Sequence, residues 1–307
     1  MTCDIQPLKA KQFFKAALEY MEPLKGTYIY DAITRDYRQK TEQEDAGYGQ
    51  WLKKLLEFVT KNYNLKGIRI LDFGCGTGEL TVRMRCLGYE AYGLDVHEKH
   101  LRLAKILAVE NDLSKEMFIL NKLNSNKLPF EDNEFDIISM FSVFEHIDDS
   151  TLSWLLPELK RICRGVVYIL VPNRLKPVDD HTGLKFVPWM PRWLAVGYLK
   201  IRSKKHGHFI SQSGDWDVYY RSFFSIVSLF RRYGFVLDFP PDGVIYPPLD
   251  KAPPITRIGK HFTLGSRKIF VGIPFPYRTM MSLGYPKQAF YPYLNLIFIP
   301  KKGGIKL

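Results

Sequence analysis

The chain has 307 residues, 46% of them hydrophobic and 25% charged, a composition that supports a sizeable core and excludes a low-complexity or disordered protein. No apolar run approaches the roughly 18 residues of a membrane-spanning helix, and Cys3, Cys75, Cys86 and Cys163 form no Cys-x-x-Cys pair behind a secretory leader, so a reduced, cytoplasmic setting is expected rather than a disulfide scaffold. The net charge of +12 is uneven: residues 1–150 hold 20 Lys+Arg against 24 Asp+Glu (net −4), while 151–307 hold 24 against 8 (net +16) and 16 of the 19 prolines, so the two halves face different tasks.

In chain order, residues 1–25 carry apolar side chains at mixed three- and four-residue spacing and predict a helix. The polar stretch TRDYRQKTEQEDAGYG follows, and QWLKKLLEFVTKNY predicts an amphipathic helix ended by Asn64 and Gly67. GIRILDFG, apolar and bounded by glycine, predicts a buried parallel strand. TGELTVRMRCLGY predicts a helix closed at Gly88, EAYGLDV a second strand, HEKHLRLAKILAVEND a helix, and MFILNKLN and EFDIISMFS the third and fourth strands. TLSWLLPELKRICRG predicts a helix that must hold Pro157 in its first turns or bend there, and VVYILVPN a fifth strand. Strands alternating with helices predict an α/β, doubly wound sheet with helices on both faces.

After that strand an insertion places Asp179, Asp180 and His181 ahead of an apolar-aromatic run and a helix with a basic cluster of Lys200, Arg202, Lys204, Lys205, His206 and His208. DWDVYYRSFFSIVSLFRRYGFVLDF predicts a helix ended at Gly234 and a sixth strand. Tyr219, Tyr220 and Arg221 then stand at the helix start, near the carboxyl edge of the sheet where ligands bind. LNLIFIPKK predicts a seventh, antiparallel strand hairpinned against the sixth, and the Pro- and aromatic-rich residues 240–292 between them a lid.

ILDFGCGTGEL, between a strand and a helix, carries the chemistry. Gly78 follows Gly76 by two residues where a dinucleotide loop needs three, and Asp72 would repel a pyrophosphate. Asp95, closing the next strand, stands where a carboxylate reaches ribose hydroxyls. A ligand with a ribose, an ammonium and no phosphate meets all three conditions, and S-adenosylmethionine (SAM) is one. A plain tight turn, with Asp72 as a helix cap and Cys75 as small filler, is the structural alternative.

Together with GLDVHE, LPFEDNEFDIIS and SVFEHI, this segment resembles the class I SAM-dependent methyltransferases, type 11/23, over residues 51–173. The resemblance implies a Rossmann-like, seven-stranded sheet with the last strand antiparallel, SAM as donor and S-adenosylhomocysteine as product. It implies that Asp72, Gly74, Cys75 and Gly76 line the amino-acid end of SAM and that Gly78 lets helix and strand pack closely. Asp95 would hold the ribose, Val96 the adenine, Asn124 the adenine amine, and Met140 and Phe141 would pass beneath the methionine part. Relatives that hold a divalent metal use Glu-x-x-Glu-His, where this chain has Ser142, Glu145 and His146, so no metal is expected.

Glu145 and His146 are expected at the acceptor mouth, with His146 either a general base or a cap for the next helix. The order Asp-His, Trp-x-Pro, helix loosely resembles surface-polysaccharide and lipid-linked glycan methyltransferases. His181 with Asp180 is therefore a second candidate base, or else a loop staple, and Trp189, Tyr219, Tyr220 and Arg221 are candidate acceptor contacts. A metal at Asp179, Asp180, His181 and His208 is the less favoured alternative.

Basic residues interleaved with aromatics in the second half suit an anionic membrane surface, a pyrophosphate-bearing acceptor, RNA, or solvent alone. No RNA-binding module or dense basic run is present, so nucleic acid is disfavoured. The expected reaction is O-methylation of a sugar or lipid-linked glycan acceptor by in-line displacement, at the cytoplasmic membrane face. A quinone or lipid-ring methyltransferase, an RNA methyltransferase and a non-catalytic SAM-binding subunit are the alternatives. The expected organisation is a helical cap over 1–50, a SAM-binding core over 51–175, an acceptor-binding insertion over 176–215, and completion of the sheet with the lid over 216–307. Oligomeric state is not legible.

Overall fold

The computed structural model describes residues 7–41, 48–123, 125–206, 216–248, 257–264, 267–274 and 277–301. Seven strands form the central sheet: β1 (Arg69–Phe73), β2 (Glu90–Asp95), β3 (Phe118–Leu120), β4 (Phe135–Phe141), β5 (Cys163–Pro172), β6 (Phe235–Asp238) and, last in the chain, β9 (Tyr293–Pro300). Their spatial order is β3-β2-β1-β4-β5-β9-β6. β1 to β5 run parallel, and β9 enters antiparallel between β5 and β6. Strand order reverses between β1 and β4, and a ligand crevice forms at such a reversal, outside the strands' carboxyl ends.

The helices are α1 (Lys11–Met21), α2 (Tyr28–Thr41), α3 (Tyr48–Asn62), α4 (Glu79–Cys86), α5 (Glu98–Glu110), α6 (Asp149–Ile162), α7 (Arg192–His206), α8 (Phe223–Arg232) and α9 (Tyr277–Ser282). Successive strand residues face opposite sides, so both faces of the sheet need cover. Ile70, Ile137, Val166 and Tyr168 pack against Leu52, Leu55, Leu56 and Val59 of α3 and Leu80 and Met84 of α4. Leu71, Ile138, Met140, Val167 and Ile169 belong with Leu152, Leu155, Leu156 and Leu159 of α6 and Ile226 and Phe230 of α8. The Phe230 ring lies stacked on Phe298 of β9 at 3.7 Å, tying the antiparallel strand to this layer.

Four elements refine the sequence expectation. Residues 34–41 of the polar stretch belong to the helix α2, whose Tyr30, Ile33 and Tyr37 form a narrow stripe, with Tyr37 against Phe13 of α1 at 5.4 Å, while 42–47 lie outside the described residues. Pro157 sits within α6, which removes the first-turn alternative and leaves the bend, with buried leucines on both sides holding the helix across the lost backbone bond. α8 begins at Phe223, capped by the Ser222 hydroxyl, so Tyr219–Arg221 form an extended lead-in. The stretch read as a lid contains an antiparallel pair, β7 (Arg257–Leu264) and β8 (Arg267–Pro274), whose register the Pro-rich flanks concealed.

Candidate active site

The donor side is built where β1 gives way to α4. Gly74 has φ of +74° and a Cβ there would stand 2.5 Å from Val143, while at Gly78, φ +83°, it would meet Ala104 and Phe118 at 2.7 Å. Both turns therefore require glycine. The Gly74 and Cys75 amides donate to the Leu94 carbonyl at 2.7 and 3.0 Å, pinning the loop to β2. The Gly76 amide donates to Asp95 Oδ2 and the His97 amide to Asp95 Oδ1, both at 2.8 Å. Asp95 is thus oriented, and its two oxygens keep lone pairs for further donors such as vicinal hydroxyls. Nothing lies within 4 Å of where a Gly76 side chain would start, so this backbone is open to a ligand. These residues fit a nucleoside that brings hydroxyl donors and no phosphate.

The other donor-side candidates vary in exposure. Asp72 is buried and its carboxylate accepts from the Thr81 hydroxyl at 2.7 Å and the Ser139 hydroxyl at 3.2 Å. It ties β1, α4 and β4 together. Burial, then the nearby acids, raise the Cys75 thiol well above its ordinary range, which rules it out as a nucleophile. Met140 is fully buried in the α6 layer, so only its backbone can border a ligand, whereas Phe141 packs against Trp51 and Tyr168 at 5.5 Å each. Val96 is exposed beside Asp95, and Asn124 lies outside the described residues. Sequence reading missed His100, with Nδ1 3.9 Å from Asp95 Oδ1, and Tyr20, with its hydroxyl 3.4 Å from His100 Nε2. No local pattern signals that contact, because it joins α1 to α5 across 80 residues.

The acceptor side starts where β4 leaves the sheet through Ser142, at φ +55°, into a tight turn over Phe144–His146. Glu145 is buried and neither carboxylate oxygen finds a hydrogen-bond partner among the described residues. Burial pushes its carboxyl above the usual range, against the opposing pull of His146 and His181. His146 Nδ1 stands 3.7 Å from Asp217 Oδ1. Burial alone would lower this imidazole, but Asp217 and Glu145 outweigh it and hold the pKa above the ordinary value. The His146-cap alternative is excluded, since Asp148 caps α6 by accepting from the Thr151 amide at 2.7 Å.

His181 completes the group. Its Nδ1 is 3.2 Å from Asp179 Oδ1 and 3.4 Å from the Tyr220 hydroxyl. Asp179 is fully buried and accepts from the Thr182 and Tyr220 hydroxyls. Burial would raise its carboxyl, yet His181, Thr182 and Tyr220 outweigh burial and hold it below the usual range. Burial and then Asp179 raise the Tyr220 phenol far above its normal range, so it stays a donor. Ligand atoms of Glu145, His146 and His181 all lie within 4.8 Å of one another. The missing carboxylate at Ser142 is thus matched by a histidine from the insertion, which the sequence could not place there.

One acceptor-side pairing is corrected, and the remaining candidates take the following places. Asp179, not Asp180, partners His181, because the turn closed by the Asp179 amide on Leu184 O and the Gly183 amide on Asp179 O brings Asp179 and His181 together. Asp180 instead accepts from Lys176 and from the Tyr293 hydroxyl at 3.0 Å. Arg221 is spent on the turn after β4: it donates to Phe144 O at 3.2 Å, Ile147 O at 2.8 Å and Asp149 at 2.6 Å. Tyr219 donates its amide to Glu145 O at 2.6 Å and lies beneath the Arg192 guanidinium at 4.4 Å. Trp189 is half-buried against Phe186 at 5.2 Å, and His208 lies outside the described residues.

Residues 41–237 match the family model described as "Methyltransferase domain". Among curated proteins the chain is 25% identical over 184 residues to the ubiquinone biosynthesis O-methyltransferase of Pelagibacter ubique, covering 59% of this chain. That match spans 65% of the relative's own length, just under two thirds. It is 28% identical over 217 residues to the demethylmenaquinone methyltransferase of Symbiobacterium thermophilum, covering 68% of this chain and 83% of that one. Among solved structures, magnesium protoporphyrin IX methyltransferase of Synechocystis with bound S-adenosylhomocysteine covers 95% of both chains at 14% identity and a TM-score of 0.45.

Proposed function

The chain belongs to the methyltransferase-domain family and is a SAM-dependent methyltransferase, and on that premise we propose that its acceptor is a ring hydroxyl of a quinone-type, lipid-soluble aromatic. The names of the curated relatives favour this ring acceptor over the sugar or lipid-linked glycan that the sequence alone suggests. The single observation that carries the acceptor chemistry is the convergence of two aspartate-backed imidazoles on buried Glu145.

SAM supplies an electrophilic methyl on a sulfonium, which leaves as a neutral thioether. What remains for the protein is to align the acceptor oxygen, exclude water and take a proton. The glycine loop and Asp95 hold the donor, and alignment of this kind contributes on the order of 7–11 kcal/mol. His181 Nε2 receives the hydroxyl proton, its ring held by Asp179 through Nδ1 as in other Asp–His pairs. His146, its cation favoured by Asp217, donates to the same oxygen as its negative charge develops. The O–CH3 bond forms as the S–CH3 bond breaks, and the proton ends on His181.

Incubating the protein with methyl-labelled SAM and, in parallel, a prenylated catechol, a lipid-linked sugar and total RNA tests this directly. Label in the catechol fraction is expected; label confined to sugar or RNA would replace the ring acceptor.

A further inference from the structure

We infer that α7 is an interfacial helix that seats the protein on an anionic lipid bilayer. α7 is anchored through Ala195 and Leu199 to a small apolar cluster with Leu184, Val187, Trp216 and Val218. Its outer side turns Trp193, Leu194 and Ile201 into solvent at 76%, 42% and 81% exposure. At about 100° per residue, Trp193, Leu194, Gly197 and Ile201 fall within an arc of about 100°, away from the anchoring residues. Phe186, 47% exposed, precedes the same helix.

Charge selects the occupant. Lys200 and Arg202 are exposed, and the helix sequence RWLAVGYLKIRSKKH contains no acid. An apolar stripe bordered by cations, with a tryptophan at its edge, matches a bilayer surface bearing anionic headgroups, where the helix lies in the plane with its apolar side sunk to the acyl boundary. A second copy of the same face would oppose like charges. RNA would gain phosphate contacts but leave Leu194 and Ile201 without a stacking partner. No helix among the described residues is long and apolar enough to cross a membrane, so the contact is peripheral. It stands on α7 alone and does not depend on which acceptor is methylated.

Flotation of the full chain with phosphatidylcholine vesicles, with and without about one third phosphatidylglycerol, tests it. The protein is expected to float with the anionic vesicles at low salt and only weakly with the neutral ones. Trp193→Ser with Ile201→Ser, and separately Lys200→Glu with Arg202→Glu, should each cut partitioning by about 10-fold or more, with SAM binding by calorimetry unchanged. If the serine variant misfolds, quenching of tryptophan fluorescence by brominated lipid, lost in Trp193→Phe, reads the insertion instead. Failure to float at low salt, equal flotation of the folded variants, or a dimer that the serine variant splits would overturn the inference. None of these outcomes would touch the methyl-transfer reading.

Discussion

The imidazoles of His146 and His181 meet edge to face with ring centroids 5.0 Å apart. One comes from the turn after β4 and the other from the insertion after β5, so the pair exists only because the parallel pairing of those strands carries both segments to the same end of the sheet. Each ring is faced by its own aspartate, and Glu145 lies against both.

His181→Ala should lower kcat by about 10²–10⁴, the usual worth of a positioned base, while SAM binding by calorimetry stays within about two-fold. His146→Gln, which keeps a donor, should lose less. If neither substitution costs more than a few-fold, the proton has another destination.

Asp217 is a positioning residue for His146, and a pH profile reads it. His146 is held above the ordinary imidazole value, so the protonated form survives to higher pH, and activity should fall only as pH rises through that raised pKa. Asp217→Asn removes a carboxylate that favours the cation, so the alkaline limb of the kcat profile should move to lower pH. A limb that stays in place would remove His146 from the reacting state.

Glu145→Gln should stabilise the fold while it impairs turnover. The folded carboxyl titrates above its unfolded value, so its contribution is fully present below about 4.5 and is lost as pH rises through the folded value. At pH 8 the neutral amide escapes that loss, and a Tm higher by on the order of a few degrees is expected, with the gap closing toward pH 4. A lower Tm for the variant at pH 8 would show that Glu145 is held ionised by a stronger partner.

Asp95→Ala should weaken SAM and S-adenosylhomocysteine together. Hydrogen bonds to a charged group contribute about 1.5–3 kcal/mol, which corresponds to a loss on the order of 10- to 100-fold, readable by calorimetry. Unchanged affinity would mean that the ribose does not sit against this carboxylate.

Chelation separates proton transfer from metal chemistry at the same three side chains. A metal needs an ionised carboxylate and neutral imidazoles, whereas here Glu145 is pushed toward its neutral form and His146 toward its cation. Dialysis against a chelator should therefore leave turnover within about two-fold. Loss of activity restored by one added divalent metal would convert Glu145, His146 and His181 into ligands.

Local features were legible from sequence where physics is short-ranged. Gly74 and Gly78 occupy positive φ, and a Cβ at either would strike a neighbour. The alternation of β-rich and helical runs foretold the parallel sheet, and Asp95 stood where a strand end must bring it. Amphipathic stripes failed only where they were narrow, as in α2 with its Tyr30, Ile33 and Tyr37.

By itself the sequence determined the sheet, the glycine bend after its first strand and the acid that closes the second, because each follows from backbone sterics and from periodicities a few residues long. Tertiary structure alone decided that Asp179 rather than Asp180 backs His181, that Arg221 donates to the carbonyls of the turn after β4, and that Tyr20 reaches His100 beside Asp95. Those choices depend on which lone pairs and donors remain unsatisfied once distant segments are packed together, and burial makes such groups find partners wherever the fold brings them.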